Sequence, residues 1–223
     1  LEASTTAQSN VAIGSQAGRN ITTGGSNTSV GTSALRDNTT GTQNIAIGTH
    51  ALEENETASN NTAVGYLALR LNTTGTNNVA LGAYALDANT TASNNIAIGL
   101  SAATNTTTGT QNIAIGTEAL ETNVIGQYNI AIGTQALEDN TADNNVAIGN
   151  AALRVNTTGQ QNTAIGGGAL DANTTANFNV AIGTSALTSN ETGYNLVAVG
   201  HEALANNTAN LNTAVGKSAM AQN

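Results

Sequence analysis

Along this chain a three-residue alternation is started and broken off thirteen times. A Val, Ile or Thr, then Ala (Ser29 in one copy), then an aliphatic residue lead into a Gly, as in Ile45-Ala46-Ile47-Gly48, and the Gly recurs at 14, 31, 48, 65, 82, 99, 116, 133, 149, 166, 183, 200 and 216. Ten of the twelve intervals are 17 residues; the two of 16 lose their residue in an Asn/Thr stretch, which reads as a loop. An Ala-Leu pair follows each Gly, as in Ala51-Leu52 and Ala68-Leu69, with Gly18, Ala103 and Met220 replacing Leu. Each copy is predicted to form two very short strands.

Period-2 spacing puts the two aliphatics on one face and Ala on the other. The position before the Gly is aliphatic in every copy: Ile13, Val30, Ile47, Val64, Leu81, Ile98, Ile115, Ile132, Ile148, Ile165, Ile182, Val199 and Val215. That column is the expected core ladder. Ala46, Ala63, Ala80, Ala97, Ala114 and Ala131 are then expected on the opposite face, where small side chains let a second sheet or subunit approach. A helical fold fails, because Gly, Asn, Thr and β-branched residues dominate and no 3.6-residue apolar period lasts beyond one copy. The expected fold class is all-β, a parallel β-solenoid or β-roll with one coil per repeat and residues 1–223 as one repetitive domain. At about 4.8 Å per coil the thirteen copies would make a rod of roughly 60 Å.

Asn stands four residues before the Gly in twelve copies, including Asn27, Asn44, Asn61, Asn78, Asn95, Asn112, Asn129, Asn145, Asn162 and Asn179, with Leu196 the exception. Stacked at one position, these amides are expected to form a hydrogen-bonded ladder. Five residues after the Gly, Arg19, Arg36, Arg70 and Arg154 share a column with Glu53, Asp87, Glu121, Glu138 and Asp171. Stacking would place Glu53 between Arg36 and Arg70, and Arg154 between Glu138 and Asp171.

Composition narrows the function classes. Charged residues are 9% of the 223, aromatics 2%, and Cys, Pro and Trp are absent, so a large mixed core, a disulfide framework and a thiolate site are all excluded. A formal charge of −9 with five Lys and Arg argues against a nucleic-acid partner. No apolar run approaches the roughly 18 residues of a membrane span. No basic leader opens the chain at Leu1, and the segment reads as part of a longer fibre.

Candidate chemistry is sparse. His50 and His201 lie nine copies apart, roughly 40 Å in a straight rod, and cannot share a metal or a proton. Gly216-Lys217-Ser218 lacks the first Gly of a phosphate loop, Gly166-Gly167-Gly168 lacks the rest of a dinucleotide fingerprint, and the paired acids Glu53-Glu54 and Glu138-Asp139 lack the pattern of calcium-binding rolls. No enzyme, cofactor or metal is expected. Asn-x-Thr occurs at Asn38, Asn55, Asn72, Asn89, Asn156, Asn173 and Asn190, a candidate glycan-bearing loop. Tyr66 and Tyr84 are candidates to stack on sugars.

The motifs Asn78-Val79-Ala80-Leu81-Gly82, Asn145-Val146-Ala147-Ile148-Gly149 and Asn179-Val180-Ala181-Ile182-Gly183, each followed by x-x-Ala, resemble the head repeat of YadA-like trimeric autotransporter adhesins. Asn61-Thr62-Ala63-Val64-Gly65-Tyr66-Leu67-Ala68-Leu69, with Asn72-Thr73-Thr74-Gly75 after it, is also similar to repeats of bacterial surface proteins and phage-type tail fibres. The resemblance covers essentially the whole chain. It implies a parallel β-roll, a homotrimer with apolar strand edges facing a common axis, an extracellular location and an adhesive role. The repeat here is longer than that of the adhesin heads, and its surplus falls in the Asn-Thr-Thr-Gly loop.

The expected function is therefore an extracellular structural and adhesive fibre on a cell surface or virion tail. It would assemble with itself as a homotrimer or filament and contact a host or environmental surface or carbohydrate. Two alternatives stand beside it: an ice-binding solenoid, and a carbohydrate-binding or glycan-bearing one. Against ice binding, Thr28, Thr62, Thr163 and Thr213 share their column with Ile and Val rather than forming a Thr lattice.

Overall fold

The structure, a computed structural model, describes Ala3 and residues 5–222. It is an all-β parallel solenoid of about 17 residues per turn, without a helix among the described residues. Its contacts divide the chain into two units, Leu1–Gln111 and Asn112–Asn223.

The first unit carries β1 (Val11–Ile13), β2 (Thr28–Val30), β3 (Ile45–Ile47), β4 (Thr62–Val64), β5 (Val79–Leu81) and β6 (Ile96–Ile98). Each pairs in parallel with the next at equivalent repeat positions, so Ala46 stands beside Ser29 on one side and Ala63 on the other. The second unit carries β7 (Ile113–Ile115), β8 (Ile130–Ile132), β9 (Val146–Ile148), β10 (Thr163–Ile165), β11 (Val180–Ile182), β12 (Val197–Val199) and β13 (Thr213–Val215), paired in the same way. Register survives the two 16-residue copies, because Ile130 still faces Val146 and Val197 still faces Thr213. The missing residue is absorbed in the loop: Asn140 and Asn207 reach the carbonyl two residues on, where Asn55 and Asn72 reach three.

The strands face the other way from expectation. Ile13, Val30, Ile47, Val64, Leu81, Ile98, Ile115, Ile132, Ile148, Ile165, Ile182, Val199 and Val215 are all half-buried or exposed, so the expected core ladder is an outer column. Ala46, Ala63, Ala80, Ala97, Ala114 and Ala131 are fully buried inside the coil, so they form its inner wall and cannot be an interface. The physical reason is space. The interior must also hold the Leu of each Ala-Leu pair and the Asn side chains, which leaves room at the strand centre for a methyl group only.

The second strand of each copy is a turn. Ala51 and Leu52 are both buried although adjacent in sequence, which an extended strand forbids. His50 (φ 59°) and Leu52 (φ 50°) adopt the left-handed conformation that aims both side chains inward, and the same angles recur in the other coils. Such backbone costs a non-Gly residue about 1–2 kcal/mol. Burying the Leu returns a similar roughly 1.5–3 kcal/mol, and the segment still bonds to its neighbours, with Leu52 N–H donating to Ala68 O at 3.0 Å.

The repeat glycine is required by close approach. Gly48 has φ +134°, and a Cβ built there would lie 2.3 Å from Gly65 O in the next coil. No L-residue fits where successive coils touch backbone to backbone.

Candidate functional site

Three surfaces carry what chemistry the coil offers: the outer strand face, the column of charges after the Ala-Leu turn, and a cluster of large side chains just past the glycine.

The outer face consists of the first and third residues of each strand. Ile13 is 60% exposed, and Ile45, Ile47, Leu81 and Ile165 lie between 36% and 45%. Two parallel columns of β-branched and Leu side chains therefore face solvent, one beside the other, with Thr28 and Thr62 the polar members within the first unit's columns. Reading the Ala column as the contact surface missed this face. The signal was present in the residue types, since the centre of the strand is fixed as Ala or Ser while its flanks vary among Thr, Val, Ile and Leu. A close-packed interior fixes volume, and an outer face does not.

Two asparagine columns brace the inside. In the expected ladder, Asn44 Oδ1 accepts the backbone N–H of Asn61 at 3.0 Å and Asn44 Nδ2 donates to Ala58 O at 2.8 Å, so each amide ties one coil to the next. Asn27, Asn78, Asn129 and Asn179 do the same. Leu196 keeps the backbone half of the bond, its N–H donating to Asn179 Oδ1 at 3.0 Å.

The second column corrects the glycan expectation. Asn38, Asn55, Asn72, Asn89, Asn156, Asn173 and Asn190 are fully buried, and every Nδ2 is spent on a loop carbonyl or a neighbouring amide. Amide bonds amide along it: Asn55 to Asn38 at 2.8 Å, Asn72 to Asn55 at 2.9 Å, Asn89 to Asn72 at 2.7 Å. An amide held inside the coil cannot accept a glycan in the folded chain. Asn-x-Thr here follows from the ladder Asn and the Thr of the loop, whose hydroxyls also bond across coils, as from Thr39 to Glu56 O.

The charge column stacks as expected, with a change of partners. Arg36 bonds Glu53 and also Asp37, whose Oδ2 lies 2.6 Å from the arginine Nη2. Arg70 turns to Asp87 at 3.0 Å rather than to Glu53, and Arg154 to Asp171 at 2.9 Å rather than to Glu138. His50 Nδ1 lies 2.8 Å from Glu53 Oε2, and His201 Nδ1 lies 3.6 Å from Glu202 Oε2. The partly exposed pairs Arg70–Asp87 and Arg154–Asp171 contribute at most about 1 kcal/mol each, whereas Glu53 is buried beneath its two partners. Burial raises the Asp87 carboxyl above its ordinary value and outweighs the opposing pull of Arg70.

Glu118, Glu121 and Glu138 each bring a carboxylate oxygen within 4.8 Å of the others, the one group among the described residues able to hold a metal ion. Burial first, then Glu118 and Asp139, raise the Glu121 carboxyl; burial first, then Asp139 and Glu118, raise Glu138 against the opposing charge of Arg154. Gln135 Nε2 donates to Glu118 Oε2 at 3.1 Å. The chemistry is mutual repulsion of half-exposed acids.

Past the glycine, the ring centroids of Tyr66 and Tyr84 lie 5.5 Å apart with their planes perpendicular, an edge-to-face pair between adjacent coils. Both tyrosines are exposed, as is Leu100 in the coil beyond.

Searches of protein-family models, curated proteins and solved structures return no match to this chain. No helix among the described residues is long and apolar enough to cross a membrane.

Proposed function

We propose that this chain is part of an extracellular structural and adhesive fibre whose solenoid coils associate side by side with further copies through the outer Ile/Val face. The observation that carries this reading is the pair of aliphatic columns facing solvent, including Ile13, Ile45, Ile47 and Leu81. Apolar surface that is continuous over several coils, rather than scattered singly, marks a surface meant to be covered. A copy of the same chain offers an equally spaced array of side chains, so it covers the columns coil for coil. The resemblance of the Asn-Val-Ala-Ile-Gly motifs to adhesin heads and tail-fibre repeats supports the surface location and the adhesive role. Ordered backbone and amide bonds between coils suit a load-bearing spacer.

Light scattering at micromolar concentration is the test. A closed species of three chain masses, or an open lateral polymer, is expected, and Ile47→Asp together with Ile98→Asp is expected to give a folded monomer. A parent chain that stays monomeric overturns self-association. Binding of the assembled chain to cells or surfaces, lost in the monomeric variant, tests adhesion. Ice binding draws no support from the outer face, where Thr28 and Thr62 alternate with Ile45 and Val79 in one column; thermal hysteresis measures it directly.

A further inference from the structure

A repeating face has a register problem. Within the first unit every coil presents a pair drawn from Thr, Val, Ile and Leu, and neighbouring coils repeat at about 4.8 Å. A second copy shifted by one coil therefore meets branched side chains of similar size, Thr28 and Thr62 being close in shape to Val, and faces that vary so little in shape specify register weakly. Something aperiodic must decide between the two.

The positions just past the repeat glycine supply it. Elsewhere in the first unit they carry small or polar residues, as in Ser15-Gln16, Thr32-Ser33 and Thr49-His50. In three successive coils they become Tyr66-Leu67, Ala83-Tyr84 and Leu100-Ser101. The backbone stacks these coils in order, with Tyr84 N–H donating to Tyr66 O at 2.9 Å and Ser101 N–H to Ala83 O at 3.0 Å. Tyr66, Tyr84 and Leu100 are 47%, 38% and 49% exposed. They begin two or three residues after Val64, Leu81 and Ile98, so the patch continues the outer columns around the corner of the coil. Ala68, Leu69, Ala85 and Leu86 fill the interior behind the patch, so apart from the Tyr66–Tyr84 ring contact between adjacent coils it lies outside the coil's own core.

We infer that Tyr66, Leu67, Tyr84 and Leu100 form a register key, a patch that packs against another copy of this chain only when the copies run in the same direction with equal coils side by side. This rests on the self-association reading above. An aligned copy sets apolar against apolar; a copy shifted by three coils sets Tyr66 against Ser15 and Leu100 against Thr49, both exposed and polar. Loss of such aromatic packing on every shift, added to an otherwise indifferent face, selects one register.

The chain has no Cys, so single cysteines report contacts without background. One chain carries Ile47→Cys and a second Val64→Cys, one coil apart; the two are mixed, co-assembled, oxidised and sorted by mass. Disulfides need Cα atoms within about 7 Å. In the parent background, like-with-like links are expected, with mixed 47-to-64 links at least fivefold rarer. In the background Tyr66→Thr, Leu67→Ser, Tyr84→Ser, Leu100→Thr, which restores residue types these columns carry elsewhere, assembly mass is expected to persist while mixed links rise to parity with like links. Unchanged link ratios in that background overturn the key and leave the patch free for another ligand, such as a sugar. Equal mixed and like links already in the parent also overturn it, with self-association intact. A monomeric parent is seen by light scattering before any oxidation and overturns the underlying reading instead.

Discussion

The inner and outer sides of one three-residue strand obey different rules. Ala46 has no exposed surface and sits between Ser29 and Ala63, while Ile45 and Ile47 on either side of it are each 40% exposed. Bulk is thus placed outside and smallness inside, the reverse of an ordinary half-buried strand. The coil tolerates this because its interior is stabilised less by large side chains in the strands than by a Leu in most turns and two columns of hydrogen-bonded amides. Outside, the bulk is free for association.

The sharpest way to break that contrast is to put one large ring on each side. Ala46→Phe is expected to cost about 3 kcal/mol or more, because the added ring has no space against Leu52 and the neighbouring coils. Ile47→Phe is expected to cost under about 1 kcal/mol in a monomeric background, as for other surface changes. Urea denaturation followed by circular dichroism compares the two; equal losses would mean that Ala46 is not the inner wall.

Next comes the amide ladder inside. Asn72→Ala removes the bonds to Asn55 Oδ1 and Gly75 O and the acceptor for Asn89 Nδ2, leaving buried polar atoms unpaired. A loss of roughly 2–4 kcal/mol is expected from those unpaired groups, read as a lower urea midpoint, whereas exposed Thr74→Ala in the same loop should change it little.

How much of this was legible follows from what each pattern constrains. The repeat, the parallel stacking and the charge-column register could be read from spacing alone, because equal intervals force equal positions into contact. Which side of the strand faces inward could not, because alternation gives two faces and no sign. Choosing the greasier side as core ignored that a 17-residue coil holding Leu52, Asn44 and Asn55 has no volume left for Ile45 and Ile47. The second strand was misread for a related reason. Ala51-Leu52 looks extended until both are required to point inward, and then only left-handed backbone at His50 and Leu52 suffices. At the candidate site, the sequence marks Tyr66 and Tyr84 only as candidates to stack on sugars. Their edge-to-face contact depended on the fold, and the buried loop amides were hidden behind a glycosylation motif.

A smaller effect is expected where the ladder is interrupted. Thr106 takes the place of Asn in the second amide column, and neither its Oγ1 nor Asn89 Oδ1 has a hydrogen-bond partner among the described residues. Thr106→Asn places an Nδ2 toward Asn89 Oδ1, as Asn89 itself reaches Asn72. A gain of about 1 kcal/mol is expected, a rise in Tm of about 2–4 °C for a chain of this length. No gain, or a loss, would show that the Thr is accommodated by its own packing.

The smallest effect concerns the crowded acids of the second unit. Glu121 and Glu138 have carboxyls raised above their ordinary values, so the folded chain holds protons that the unfolded chain has already released. Their penalty is absent below the ordinary carboxylate range and appears as pH rises through the raised values, so stability from these groups falls with increasing pH in that window. Glu121→Gln removes one repelling charge and relieves Glu138. The variant is expected to unfold at a slightly higher temperature than the parent at pH 7 and at the same temperature near pH 4. Arg154 sits on the other side of Glu138 and already lowers its carboxyl, so Arg154→Gln should widen the pH dependence where Glu121→Gln narrows it. Opposite signs from the two variants identify carboxylate repulsion as the cause; equal signs would assign the effect to lost packing of long side chains instead.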